Sequence, residues 1–172
     1  MAETLRGEEA ALVAVQSALA DRPGVVPAAR AMSHFGEHAQ GWVALSALGA
    51  LIQPQRRRQW IAVAVGALVA HAGAIAIKLV VRRKRPDHPA VAVNVGTPSQ
   101  LSFPSAHATS TTAASILLAR ATGLPLPLLF VPPMALSRLV LGVHYPSDVL
   151  TGMAVGAAVA KVVGSVADRG ES

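Results

Sequence analysis

Residues 59–81 read QWIAVAVGALVAHAGAIAIKLVV, an apolar run whose interior holds two ionisable side chains, His71 and Lys78. A helix needs about 20 apolar residues to cross the hydrocarbon core of a bilayer. The run therefore predicts a membrane-spanning helix. Ionisable groups inside such a helix are costly, and they face the protein interior or serve function by default. Of the two, His71 is expected to hydrogen-bond across helices.

The composition agrees with a membrane protein of one domain. Hydrophobic residues make up 52% of the 172 residues, charged residues only 14%, and the mean hydropathy is +0.47. A soluble domain usually carries about a quarter charged residues. The chain has no cysteine, which excludes disulfides and thiolate metal sites. The net charge of +6 comes with few aromatic residues to stack on bases, so anionic lipid or phosphate is favoured over nucleic acid.

Apolar segments along the chain predict an all-α membrane bundle with about five transmembrane helices. The transmembrane domain is assigned to residues 25–168, after an N-terminal segment of residues 1–24 and before a short tail of residues 169–172. Pro132 and Pro133 predict a kink inside the fourth segment. The predicted spans are Ala31–Gln53, Gln59–Val81, Ser105–Arg120, Leu124–Val143 and Pro146–Ala167.

The N-terminal segment has the pattern of an amphipathic helix. Leu5, Leu12, Val15 and Leu19 fall on one helical face, and residues 21–24 (DRPG) end the helix. The acidic residues before the apolar run argue against a signal peptide. Two alternatives stay open: the helix lies at the membrane interface, or it packs on the rest of the protein.

Basic residues outside the spans predict the orientation. Arg56–Arg58, Arg120 and Arg169 fall on one side of a five-span bundle, which the positive-inside rule assigns to the cytoplasm. The loop 82–104 and the turn 144–146 then lie on the outer side of a bacterial plasma membrane. Alternating helix directions bring the polar residues at span ends to this outer face.

Those polar residues form a set suited to phosphoryl transfer. Two arginines and a lysine offer donors to a phosphate, and a helix N-terminus is itself an anion site. Two histidines can divide nucleophilic and acid–base work, and a carboxylate four residues from one of them can orient its ring. The set comprises Lys78, Arg85, Ser105, His107, Arg138, His144 and Asp148.

Three stretches of the chain resemble the signature of the type 2 phosphatidic acid phosphatase (PAP2) superfamily. The family pattern is KxxxxxxRP, PSGH and SRxxxxxHxxxD. Here the parts read KLVVRRKRP at 78–86, PSAH at 104–107 and SRLVLGVHYPSD at 137–148. The resemblance covers roughly residues 59–168. One departure is Ala106, where the family usually has glycine; alanine is harmless there if the residue opens an ordinary helix.

The resemblance implies a mechanism that requires no metal or other cofactor. His144 would attack phosphorus to form a phosphohistidine, and Asp148 would orient it. His107 would protonate the leaving alkoxide and then activate water. The phosphoryl oxygens would be held by Lys78, Arg85, Arg138, Ser105 and the N–H of Ala106.

The implied partner is a phosphorylated lipid in the bilayer. The short chain, rich in Ala, Val and Arg, looks like the small actinobacterial PAP2 proteins of cell-wall arabinan precursor synthesis, which act on a prenyl-linked phosphoribose. Phosphatidylglycerophosphate, phosphatidic acid and undecaprenyl pyrophosphate remain alternatives, as does a non-catalytic phospholipid-binding protein. The pattern Gly152-x-x-x-Gly156 indicates close helix packing in preference to dimerisation, although a homo-oligomer stays open.

Residues outside the signature give further hypotheses. The loop after the second span is long enough to be a headgroup-binding lid, with Asp87, His88, Asn94 and Gln100 as its candidate contacts. The basic residues 82–84 are expected to attract anionic lipid. His34 and His38 have metal-ligand spacing, but Glu37 does not share their face. A solvated helix end is the preferred interpretation of that pair.

Overall fold

A computed structural model describes residues 7–169, and these residues form an all-α bundle. The all-α architecture predicted from the sequence is therefore confirmed. Short 3-10 turns occupy Glu37–Ala39 and Pro54–Arg56. The helices are α1 (Gly7–Leu19), α2 (Val25–Gly36), α3 (Gln40–Ile52), α4 (Arg57–Val81), α5 (Ala106–Thr122), α6 (Leu126–Val140) and α7 (Pro146–Arg169).

Helix α5 forms the centre of the bundle and packs against α4, α6 and α7. Its side chains are mostly Ala, Ser and Thr, and most of them are buried. Some of the buried hydroxyls are satisfied within the helix, as when Thr109 Oγ1 donates to the carbonyl of Ser105 at 2.8 Å, whereas Thr112 Oγ1 has no partner among the described residues. Small side chains let neighbouring helices approach closely, so a polar helix can occupy the middle of an apolar bundle.

Helix α7 packs on α5 through the two glycines of the GxxxG pattern. A Cβ added to Gly156 would lie 2.4 Å from the carbonyl oxygen of Thr109, and one added to Gly152 would lie 2.7 Å from that of Ser105. The pattern thus packs helices within one chain, as the sequence indicated. The contact also joins the starts of the two helices, where the Ser105 N–H donates to the Asp148 carbonyl at 2.9 Å.

The outer faces of the bundle are apolar. Among the described residues, Pro54–Val81 and Pro146–Arg169 are long and apolar enough to cross a membrane. At 1.5 Å per residue, α4 and α7 span roughly 38 Å and 36 Å, more than the roughly 30 Å hydrocarbon core. The other helices are shorter, so a count of five transmembrane helices stays a prediction. Helix α6 continues through Pro132 and Pro133 without a break.

The first predicted span, Ala31–Gln53, is not one helix. The chain breaks at the 3-10 turn into α2 and α3, and His38 and Ala39 adopt positive φ angles of 49° and 60°. That conformation costs a non-glycine residue about 1–2 kcal/mol, so the packing around the turn must hold it. Helix α2 packs against α6, whereas α3 packs against α4. The polar stretch before Trp42 allows the chain to break between α2 and α3, so that the two helices pack against different neighbours.

Helix α1 packs on the bundle, which is the second of the two alternatives left by its sequence; its place at the membrane interface stays a prediction. Leu12 is fully buried, and Val15 and Leu19 lie against a cluster that includes Leu141. Leu5, the remaining residue of the predicted face, lies outside the described residues. Gln16 is also buried, although it is polar. The N-terminal helix is thus packed against the rest of the bundle.

The basic residues used to predict orientation lie at the end of the bundle where α4 starts and α5 ends. Arg56 Nη1 donates to the carbonyl of Ala121 at 2.9 Å. Arg120 pairs with Asp168 at 2.6 Å. The signature residues gather at the opposite end, near the last turn of α4 and the first turns of α5 and α7.

Candidate active site

A cavity of about 380 Å³ opens at that end of the bundle. Its wall brings together signature residues from α4, α5, α6 and the two connections between helices. Ser105 and Asp148 are fully buried at the adjoining helix starts. The signature residues that line the cavity are Lys78, Arg85, Ala106, His107, Arg138 and His144.

Two of the cations are held by backbone carbonyls. Lys78 Nζ donates to the carbonyls of residues 101 and 102 at 3.1 and 2.9 Å. Arg85 donates from Nε to the carbonyl of Ser99 at 2.8 Å and from Nη1 to that of Val143 at 2.6 Å. Burial lowers the pKa of Arg85 to about 10, which still leaves it charged at neutral pH. Neither charge has to be reoriented when an anion arrives.

The third cation, Arg138, is 2% exposed near the end of α6. Its Nε and Nη1 atoms have no hydrogen-bond partner among the described residues. A buried, unpaired guanidinium is costly. Because Arg138 lines the cavity, a bound anion would supply the missing acceptors, and the planar fork of donors suits a phosphoryl group.

His144 lies in the turn between α6 and α7 with its two ring nitrogens facing different groups. Nδ1 lies 3.6 Å from Oδ2 of Asp148, and Nε2 lies 3.4 Å from Nη1 of Arg85. The Asp148 carboxylate is fixed by the Tyr145 N–H at 2.8 Å. The distance to Nδ1 is longer than a hydrogen bond, and such contacts often tighten only when substrate is bound. With Nδ1 on the side of Asp148, Nε2 is the ring nitrogen that is left for a reacting group.

The surroundings of His144 favour its neutral form. Burial, followed by the nearby charges of Arg138, Arg85 and Lys78, lowers the pKa of His144 well below its usual range. Protonation would add a cation to a site that already holds three. Only an unprotonated imidazole has a lone pair available for nucleophilic attack, so the surrounding charges keep the His144 ring in the form that such chemistry needs.

His107, on the first turn of α5, is held by helix α2. Its Nε2 lies 3.0 Å from the carbonyl oxygen of Ser33. A carbonyl only accepts, so Nε2 carries the hydrogen and Nδ1 remains for substrate. A Cβ added to Gly36 would lie 2.7 Å from Cδ2 of His107. Glycine is therefore required at position 36 for this ring position.

The PSAH stretch forms the start of α5. Ser105 caps the helix, with Oγ accepting from the Ala108 N–H at 3.4 Å. Ala106 is the first residue of α5 and is not among the residues with positive φ. Alanine in place of the usual glycine is therefore unstrained. Its N–H belongs to a helix N-terminus, which favours anions.

The PAP2 superfamily matches residues 58–169, which is more than half of the chain. The chain belongs to the PAP2 superfamily. A decaprenylphosphoryl-5-phosphoribose phosphatase from Mycolicibacterium smegmatis is 71% identical over 152 residues, covering 88% of this chain and 84% of the relative. One from Mycobacterium tuberculosis is 67% identical over 161 residues, covering 94% and 91%.

Two solved structures share the fold. The phosphatidylglycerolphosphate phosphatase of Bacillus subtilis superposes with a TM-score of 0.71 at 20% identity, covering 93% of this chain and 86% of that one. LpxE from Aquifex aeolicus gives a TM-score of 0.70 at 18% identity, covering 94% and 96%. At these sequence identities, the similarity to the two structures shows only that this PAP2 protein has the same fold.

Sequence reasoning missed the role of Arg83 in this PAP2 site. Its Nη1 donates to Asp148 Oδ1 at 3.1 Å and to Ser147 Oγ at 2.7 Å. Its Nη2 donates to Glu8 at 2.6 Å, and the guanidinium lies 4.0 Å from the ring centre of Tyr145. Arg83 was expected to attract anionic lipid; the structure instead directs it at the carboxylate behind His144.

Glu8 ties helix α1 to the same group. Its Oε1 accepts from the Ser147 N–H at 2.7 Å, while Oε2 accepts from Arg83. Burial by itself raises the pKa of Glu8, but the hydrogen bonds from Ser147 and Arg83 outweigh it, and the pKa is lowered. Glu8 therefore stays ionised at neutral pH. No signal in the sequence pairs residues so far apart.

The connection between α4 and α5 lines the cavity with other residues than those predicted. Asp87, His88, Asn94 and Gln100 are not part of the cavity wall; residues 95–99 and 101 are. Asn94 instead fixes the connection to the end of α6, where its Nδ2 donates to the Val140 carbonyl at 3.2 Å. Polar composition suggested the four residues, but two of them, Asn94 and Gln100, instead fix the connection, since the Gln100 carbonyl accepts from the Arg85 N–H at 3.1 Å.

Three histidines outside the signature line the same cavity. They are His34, His38 and His71. Contrary to the expected bond across helices, Nδ1 of His71 has no hydrogen-bond partner among the described residues. Residues 7–169 hold no cluster of three or more His, Cys, Asp or Glu side chains placed to bind a metal ion.

Proposed function

We propose that this PAP2 protein is a decaprenylphosphoryl-5-phosphoribose phosphatase. It would hydrolyse the 5-phosphomonoester and leave the ribose attached to its decaprenyl phosphate. The observation that carries the proposal is one cavity in which the signature histidines lie with three cations, two of which, Lys78 and Arg138, are buried. The substrate follows the name of relatives that are 67–71% identical over most of their length.

In the first step, Nε2 of His144 attacks phosphorus in line with the ribose O5. The N–P bond forms as the P–O5 bond breaks, and His107, which enters this step protonated on both ring nitrogens, passes its Nδ1 proton to O5. The products are phosphohistidine and the ribosyl lipid with a free 5-hydroxyl. Asp148 stabilises the positive charge that develops on the His144 ring.

In the second step, His107 takes a proton from a water molecule, whose oxygen attacks the phosphohistidine. The P–N bond breaks, and His144 recovers its lone pair as inorganic phosphate leaves. Lys78, Arg85 and Arg138 hold the equatorial oxygens through both steps, since their positions match the charge on the transferring phosphoryl group.

The cationic wall supplies the charge that metal ions supply in many phosphatases. Because the cavity presents two guanidiniums and an ammonium, a divalent cation would be repelled from the phosphate position. We therefore expect turnover to persist in excess EDTA.

We also propose that the site faces the outside of the plasma membrane and that five segments cross the bilayer. The arginines at the opposite end support this orientation. The chain has no native cysteine, so single cysteines report sidedness directly. Ala90→Cys at the site end should react with an impermeant maleimide on intact cells, whereas Gln55→Cys should react only after lysis. The reverse pattern contradicts the orientation.

The test of function is phosphate release from a panel of lipid phosphates. The purified protein should hydrolyse decaprenylphosphoryl-5-phosphoribose with a higher kcat/KM than phosphatidic acid, phosphatidylglycerophosphate or undecaprenyl pyrophosphate. His144→Ala should abolish release from every substrate. Preference for a diacyl substrate would reject the proposed lipid, and wild-type activity in His144→Ala would reject the proposed chemistry.

A further inference from the structure

The cavity extends well beyond the phosphate-binding residues. On α4, His71 precedes Lys78 by seven residues, so both lie on one helical face, about 10 Å apart along the axis. Both line the cavity. Its volume of about 380 Å³ falls in the range of pockets that enclose whole small molecules. A group larger than phosphate therefore fits in it.

The part of the cavity around His71 is polar, and its wall is open to the outside, since His38 is exposed and the Glu37 side chain is 44% exposed. His71 Nδ1 is buried and lacks a hydrogen-bond partner among the described residues. The ring of His38 lies 5.6 Å from the ring of His71, between centroids. Glu37 and Ser33 belong to the same wall. Buried polar atoms in proteins are almost always hydrogen-bonded. Because His71 lines the cavity, a bound ligand could supply the partner that Nδ1 lacks.

The backbone of this wall has an unfavourable conformation at two residues. His38 and its neighbour Ala39 both have positive φ, at 49° and 60°. Strained non-glycine residues concentrate at binding sites, where the surrounding packing maintains them. Here Gly36 packs against His107, and the carbonyl of Ser33 binds the same ring. The turn is thereby fixed relative to the reacting groups.

The chemistry of the wall around His71 differs from that of the phosphate end. It presents two imidazoles and a carboxylate, where the phosphate end presents three cations. A second phosphate would meet the Glu37 carboxylate and be repelled. Hydroxyl groups both donate and accept, so they can satisfy the imidazole nitrogens and the carboxylate together.

We propose that His71, His38 and Glu37 form a hydroxyl-binding subsite for the sugar ring of the lipid headgroup. This inference rests on the proposed function, which supplies a ribose between the reacting phosphate and the lipid phosphate. The 2- and 3-hydroxyls of the ribose are its ligands. Ile75 and Leu79 line the same cavity, and Leu79 is 66% exposed on the outer face of α4. That apolar side leads toward the bilayer and the prenyl chain.

The experiment compares kcat/KM for two lipids, the 5-phosphoribosyl substrate and its 2,3-dideoxy analogue. The wild type should prefer the ribosyl lipid by roughly ten-fold for each hydroxyl that is bound. In His71→Ala and Glu37→Gln the preference should fall toward one. His88→Ala, a histidine outside the cavity wall, should keep the wild-type preference. The preference is the ratio of two kcat/KM values measured on the same preparation of one variant. A change in the folded fraction of that variant therefore cancels in the ratio.

The outcomes separate the subsite from the function. A variant preference equal to that of the wild type, or a wild type that does not distinguish the two lipids, overturns the subsite and leaves the phosphatase standing. A wild type that hydrolyses phosphatidic acid but not the ribosyl lipid overturns the proposed function, and the sugar subsite falls with it. Equal losses on both lipids in His71→Ala overturn the subsite as well, since they place His71 in the chemistry.

Discussion

Replacing Arg83 by glutamine tests whether the carboxylate behind the nucleophile needs its second support. Asp148 has a fully buried side chain held by the Tyr145 N–H and by Arg83. A hydrogen bond to a charged group contributes about 1.5–3 kcal/mol. Arg83 is 31% exposed, which argues for the lower half of that range. We expect kcat to fall roughly ten- to thirty-fold, with a smaller change in KM, because Arg83 acts through Asp148 and does not line the cavity.

The assay is phosphate release across substrate concentrations, with Arg82→Gln as the matched control. Arg82 is the exposed neighbour of Arg83, and its replacement by glutamine removes the same charge. Arg83→Lys should recover part of kcat, since an ammonium can keep one of the bonds to Asp148 or Glu8. Equal losses in Arg82→Gln and Arg83→Gln, or a kcat of Arg83→Gln within two-fold of the wild type, would refute the positioning role.

Three further changes follow from the same contacts. Because burial and nearby cations lower the pKa of His144, it should remain neutral at pH 6.5 and gain its proton only at lower pH. A ¹⁵N-histidine NMR titration checks this, and a midpoint at or above 6.5 contradicts it. Gly156→Ala should destabilise the bundle by about 1–3 kcal/mol through the clash with α5, whereas Gly73→Ala, which meets nothing within 4 Å, should stabilise it by up to about 1 kcal/mol; thermal unfolding in detergent measures both. Gly36→Ala should displace His107 and lower kcat without lowering the thermal midpoint comparably, and an unchanged kcat would show that the ring tolerates the methyl group.

The central helices and the signature cluster could be predicted because both depend on local patterns. Helix α4 follows from an unbroken apolar run, and the meeting of Lys78, His107 and His144 follows from alternating helix directions. Ala106 could be judged from its place at a helix start. These features need only residue type and spacing within a span or between adjacent spans.

The break at residues 37–39 and the supports of the site could not be predicted in this way. Arg83 and Glu8 meet across 75 residues, and Gln16 holds the carbonyl of Ala92 across 76. Such pairings depend on how whole helices pack. Gln16 lies on a helical face that was predicted from its leucines, so the apolar pattern gave no reason to single it out. The loop residues that line the cavity are mostly small or apolar, and such residue types do not indicate a binding site.

The most direct test of the account is rapid-quench trapping of the phosphoenzyme with decaprenylphosphoryl-ribose 5-phosphate labelled with ³²P. In the wild type, quenched within the first turnover, label should appear in an acid-labile, base-stable form on the peptide containing His144, and His144→Ala should carry none. The account is contradicted if His144→Ala releases labelled phosphate at the wild-type rate, or if label is found on another residue.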